Sequence, residues 1–141
     1  MLQAESVLSE SKKVEIECDG GMSVDGNGKI AIFNKNVVLK RGALILKCQK
    51  LEVYYTETEG KKSISLLKGY GDVYFNMPDR SVKGNSDTFV YEYQSGKLEL
   101  KKKGGLTVYT KDGSISSEHV IVNLKTGDAF ANKKVVLIFE G

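Results

Sequence analysis

The single histidine, His119, stands in the run Ser116-Ser117-Glu118-His119, which supplies a hydroxyl, a carboxylate and an imidazole. Those groups serve acid–base or nucleophilic catalysis when their side chains converge. In an extended strand, however, Glu118 and His119 point to opposite faces and are badly placed as an acid–base pair. The two cysteines, Cys18 and Cys48, show no Cys-x-x-Cys spacing, and with one histidine they make no zinc set. Each ends an alternating run, Val14-x-Ile16-x-Cys18 and Leu44-x-Leu46-x-Cys48. They read either as small buried apolar residues or as a bridge between stacked strands in an oxidising compartment. The glycine pairs are turns, since no helix follows them to cradle a phosphate. No catalytic residue, metal or cofactor is expected.

The remaining chemistry is basic. Clusters stand at Lys12-Lys13, Lys40-Arg41, Lys61-Lys62, Lys101-Lys102-Lys103 and Lys133-Lys134. Such runs usually solvate and protect strand edges, and near a binding groove they offer point charges to phosphates. The net charge of +3 does not announce nucleic-acid binding, and no nucleic-acid partner is expected. No apolar stretch approaches the roughly 20 residues that span a bilayer. The first residues, Met1 to Lys13, lack the basic-then-apolar order of a signal peptide. That leaves a cytosolic protein or a mature chain whose leader has been removed.

The elements that must position these groups are strands. Almost every segment alternates apolar and polar residues with period two, as in Leu44-x-Leu46-x-Cys48, Phe89-x-Tyr91-x-Tyr93 and Val120-x-Val122-x-Leu124. One apolar and one wet face is the pattern of an antiparallel sheet. Turn chemistry separates the runs: Asp25-Gly26-Asn27-Gly28, Arg41-Gly42, Glu59-Gly60, Pro78-Asp79-Arg80, Ser95-Gly96, Gly104-Gly105, Asp112-Gly113 and Thr126-Gly127. A phrase made of a polar residue followed by alternating apolar ones recurs, led by Gln49, Asp87 and Glu118, at intervals of about 30 to 40 residues. Stacked hairpin units, each with an apolar face it cannot bury alone, are therefore predicted. With 141 residues the chain is one domain, read as a flexible segment over 1–13 and a β domain over 14–141. Only Leu2 to Ser11 has room for a turn of helix. The tail Val135-Val136-Leu137-Ile138-Phe139 is either a buried closing strand or an exposed edge that recruits another chain.

Several phrases together resemble the LptA/OstA-like family of lipopolysaccharide-transport proteins. They are Val14-Glu-Ile-Glu-Cys-Asp19, Asp25-Gly-Asn-Gly-Lys-Ile-Ala-Ile-Phe33, Asn36-Val-Val-Leu39 and the Ile45 to Tyr54 segment. Gly69-Tyr-Gly-Asp-Val-Tyr-Phe75, Val82-x-Gly84-x-x-Asp87-x-x-x-Tyr91 and Gly113-Ser-Ile-x-x-Glu-x-Val120 follow in the family's order. The usual Ala-Asp pair is Cys48-Gln49 in one repeat and Ser117-Glu118 in another, a local departure. The resemblance implies an all-β, single-domain open β-jelly roll of many short antiparallel strands, curved into a trough with an apolar interior. It implies a periplasmic, non-enzymatic carrier that holds the acyl chains of lipid A, the lipid anchor of lipopolysaccharide. The implied partners are an inner-membrane export complex, an outer-membrane insertion protein and further copies joined head to tail through edge strands.

The apolar lining expected on that reading is Ile16, Ile32, Val37, Leu39, Leu44, Leu46, Leu51, Val53, Val73, Phe75, Phe89, Tyr91, Val108, Val120 and Val122. A 12-carbon chain buried there contributes on the order of 9 kcal/mol before ordering costs. The same residues also suit an ordinary core. Two alternatives stand beside the carrier: the membrane-tethered sister component of the same export system, similar to LptC, and a β-stacking assembly module that binds no lipid.

Overall fold

A computed structural model describes residues 13–140. The short helix weighed for Leu2 to Ser11, and all of the segment 1–13 except Lys13, lie outside the described residues. The chain forms β1 (Val14–Glu17), β2 (Met22–Asp25), β3 (Ile30–Arg41), β4 (Leu44–Thr58), β5 (Lys61–Met77), β6 (Val82–Glu92), β7 (Lys97–Thr110), β8 (Gly113–Asn123), β9 (Ala129–Asn132) and β10 (Val136–Phe139), with one 3-10 turn at Pro78–Arg80. Every pairing is antiparallel. The order is β1-β3-β4-β5-β6-β7-β8-β10, with β2 also on β3 and β9 also on β8. The result is an up-and-down meander, and the predicted all-β class holds. Its tight turns follow the sequence: Glu59 and Gly60 take consecutive positive φ values of 54° and 80°, the twist a two-residue hairpin requires.

The central strands share a kink at one level. Register shifts fall between Asn34 and Val37, Lys47 and Lys50, Tyr70 and Val73, Gly84 and Thr88, and Lys101 and Leu106. At that level alternate strands carry left-handed pairs, Lys35-Asn36, Gly71-Asp72 and Gly104-Gly105, the last a bulge inside β7 and not the turn its sequence suggests, and Lys133-Lys134 repeats the feature between β9 and β10. Each bulge bends its strand. Between them β4, β6 and β8 present Gln49, Asp87 and Glu118, the polar leads of the sequence repeat. The outer elements obey the same plan. β1 and β2 pair with the two halves of β3, and the corner between them is tied by Asp19 N–H to Lys35 O at 2.8 Å and Gly20 N–H to Asn34 O at 2.9 Å.

Each strand therefore has two arms, and the sheet folds back on itself along the corner. Register places Tyr91 level with Leu67, Val53 and Ala31, ten residues along β3 from Arg41. In a flat sheet that stretch is about 30 Å. Instead Arg41 Nη1 donates to the Tyr91 hydroxyl at 2.6 Å. The apolar faces of both arms consequently merge into one cluster.

Three sequence expectations meet the structure here. Ile32, expected to face inward, pairs with Glu52 on the face turned away from the core, while Ala31 and Phe33 pack against it. Ile30 to Phe33 are four consecutive apolar residues, so they carry no period-two signal. The alternation Ile64-x-Leu66 in the sequence marks Leu66 as inward, yet Leu67 is the fully buried residue, because the register shifts beside Tyr54 and Tyr55. The tail is the exposed edge of the two alternatives: all four residues of β10 are exposed.

Candidate binding trough

The interior is built from the inward positions of both arms. Thirteen of the expected lining residues are buried, and Ile16 packs partly exposed against them. Ile32 alone is turned away. Sequence reasoning about the lining omitted Cys48, Leu67, Val82, Leu98, Leu100, Leu106 and Leu124, all part of the same cluster. Most of these lie in alternating runs that periodicity marks as apolar; Leu67 is hidden by the register shift and Val82 stands alone beside a turn.

Two phenylalanines lie across glycines of the neighbouring strand. Gly69 pairs with Phe89, and a β-carbon added there would stand 2.0 Å from the ring. Gly84 pairs with Phe75, and its added β-carbon would meet the ring at 2.9 Å and Thr107 O at 2.8 Å. Bare backbone lets each ring lie flat against the strand and fill the groove between arms.

Opposite the corner, the far ends of the arms meet at a mouth. Arg41 reaches from the β3–β4 turn to bond Tyr91, and its guanidinium carbon stands 4.2 Å above the ring of Tyr93. Its Nε–H is buried and meets no acceptor among the described residues. Burial pushes the Tyr91 hydroxyl above the usual tyrosine range, against the opposing pull of Arg41. A cleft of about 200 Å³ opens beside this contact, lined by Arg41, Gly42, Ala43, Leu44, Met77, Asp79, Tyr91, Leu124 and Lys125.

At the corner, small residues face inward: Cys48, Ser86 and Ser117 are almost wholly buried. The Ser117 hydroxyl lies 2.8 Å from Asn132 O and 2.7 Å from Lys133 O, and accepts from His119 N–H at 3.2 Å. Its partners are backbone atoms, whereas the imidazole of His119 bonds Glu99. The polar leads brace the bulges from outside. Gln49 Oε1 accepts from Asn36 N–H at 3.3 Å, Asp87 Oδ2 accepts from Lys103 N–H at 3.3 Å, and Glu118 meets Lys134 at 3.3 Å. His119 pairs with Glu99 of β7 at 2.5 Å, not with Glu118. Lys101 to Lys103 and Lys133, far apart in sequence, share a cleft of about 290 Å³. Both cysteines are free thiols, and burial raises Cys48 to about 11.

These features define a class: an antiparallel sheet folded over a continuous apolar interior, with structural corners where its polar residues gather. The chain belongs to the family described as LptA/(LptD N-terminal domain) LPS transport protein, which matches residues 15–128. Among solved structures it is similar to LptH of Pseudomonas aeruginosa, described as the LptA-homologous periplasmic component of the conserved lipopolysaccharide transport device. The likeness covers 94% of this chain and 98% of that one, with a TM-score of 0.80 and 12% identity. At that identity the likeness is one of fold. No curated protein sequence matches the chain.

Proposed function

We propose that this protein is a periplasmic carrier that takes up the acyl chains of lipopolysaccharide between its two arms and passes the lipid along stacked copies. The observation that carries the reading is the single apolar cluster, fed by both arms and running across the sheet from Val14 and Ile16 of β1 to Val120 and Val122 of β8. Its own side chains fill the groove, so lipid enters by displacing contacts between arms, with hydrophobic burial as the driving force. Family membership and the likeness to LptH support the assignment. Transport energy comes from an inner-membrane export complex, and an outer-membrane insertion protein receives the lipid.

The free edge at β10 supports the stacking part. Val136, Leu137, Ile138 and Phe139 are exposed on a terminal strand of the sheet, the arrangement that accepts another strand. A second copy docking its β1–β2 edge there would extend the apolar interior from one protomer to the next.

The direct test is displacement of a fluorescent lipid A probe by unlabelled lipopolysaccharide, together with mass spectrometry of lipids extracted from the purified protein. Saturable displacement and co-purified lipid are expected. Absence of both, with concentration-dependent filaments still forming, would instead identify an assembly module that stacks without lipid.

A further inference from the structure

The mouth of the trough holds a cation in an unusual setting. Arg41 donates one bond to Tyr91 and stacks on Tyr93, yet no carboxylate among the described residues lies within ion-pair distance of it. Its Nε–H is the one buried side-chain donor or acceptor among the described residues without a partner. An unpaired buried donor on a charged group is destabilising by several-fold in equilibrium terms, and more where water is excluded. A guanidinium also presents a planar fork that matches oxyanions. Beside this fork the cleft is walled by Leu44, Met77 and Leu124, which join the core, so charge and grease meet at one point.

We infer that Arg41, with the Tyr91 hydroxyl, is a recognition site for the anionic head group of an amphiphile, a phosphomonoester or carboxylate whose chain lies between the arms. The inference rests on the carrier reading and deepens it: the interior supplies affinity for any chain, and Arg41 selects the chains that carry an oxyanion. Tyr91 accepts from Arg41 and retains its own proton, since burial holds the hydroxyl neutral, so it is able to donate to the same anion. Among the described residues that line the cleft Asp79 is the one acid, set against the cations Arg41 and Lys125, and it opposes the anion, keeping the site from holding it too tightly for release.

The experiment compares dodecyl phosphate, dodecyl maltoside and inorganic phosphate, the amphiphiles below their critical micelle concentrations, by calorimetric titration of the wild type, Arg41→Gln, Arg41→Lys and Asp79→Asn. The wild type should prefer dodecyl phosphate to dodecyl maltoside by about tenfold or more. Arg41→Gln should abolish that preference while keeping maltoside binding, Arg41→Lys should retain part of it, and Asp79→Asn should increase it. Equal dodecyl phosphate binding by Arg41→Gln and wild type overturns the head-group site and leaves the carrier reading intact. Binding of neither amphiphile by the wild type overturns the carrier reading, and this inference with it. Inorganic phosphate binding as tightly as dodecyl phosphate, in an Arg41-dependent way, shows a free-anion site and overturns the lipid assignment. Should Arg41→Gln fail to fold, the Nε–H resonance of Arg41 in the wild type decides. A shift on adding dodecyl phosphate but not maltoside is expected, and no shift overturns the site.

Discussion

Phe89 lies where a β-carbon of residue 69 would be, and that exclusion makes Gly69 one of the least replaceable residues in the chain. Gly69→Ala should force the ring off its rotamer and destabilise the fold by about 1–3 kcal/mol. Gly26→Ala, where an added β-carbon meets nothing within 4 Å, should leave the thermal midpoint nearly unchanged. A pair of thermal melts reads both. The cysteines differ in the same local way. Burial raises the thiol of Cys48 from 9.0 to about 11, whereas Cys18 is half-buried near the corner. A maleimide reagent near pH 8 should modify Cys18 first and leave Cys48 untouched in the folded protein. The folded state favours the neutral Cys48 thiol, so its contribution to stability is complete below about pH 9 and is lost as pH rises toward 11. Stability curves for the wild type and Cys48→Ala should therefore converge across that alkaline window. The glycines and cysteines were legible as motif residues, but their reasons were not. What Gly69 avoids is a ring 20 positions away, and only strand register brings the two together.

The corner is the element-scale invention of this chain. Its sequence trace was visible as a recurring small–polar pair: Cys48-Gln49, Ser86-Asp87 and Ser117-Glu118. The structure gives each half a task, the small residue allowing the strand to fold inward and the polar one bracing the neighbouring bulge. Ser117→Ala should destabilise by about 1–2 kcal/mol by removing the buried hydroxyl that ties β8 to the backbone at Asn132 and Lys133. Asp87→Ala, which removes one exposed bond to Lys103, should cost about 0.5–1.5 kcal/mol; urea titrations order the two. The corners also explain where periodicity failed. A bulge adds a residue and flips the face of everything beyond it, so counting by twos is safe only between bulges. Leu67 was lost to such a shift. Ile32 was lost for the simpler reason that an unbroken apolar run has no period to count.

For the whole molecule, the two ends of the sheet are unlike. One ends in Val14 and Ile16, partly packed on the core, the other in the fully exposed β10. Charges on the exposed strand, Leu137→Lys with Phe139→Glu, should shift self-association to at least tenfold higher concentration in sedimentation velocity while leaving the thermal midpoint of the monomer within about 0.5 kcal/mol equivalent. Overall class and most of the interior could be read from alternation, because burial of one face is what alternation encodes. Folding of the sheet onto itself could not, since it depends on left-handed pairs at Lys35-Asn36 and Lys133-Lys134, which carry no glycine to mark them. Those kinks have one more consequence. An ordinary edge strand accepts a newcomer at any offset along its length and is open to slippage. Here the edge is broken at Lys133-Lys134, between β9 and β10, and a visiting strand must break at the matching place, as the chain does between β1 and β2. In the stacking proposed above, the kink would act like a key: it would admit a bent strand at one offset and turn away straight ones, guarding an otherwise sticky edge against indiscriminate aggregation.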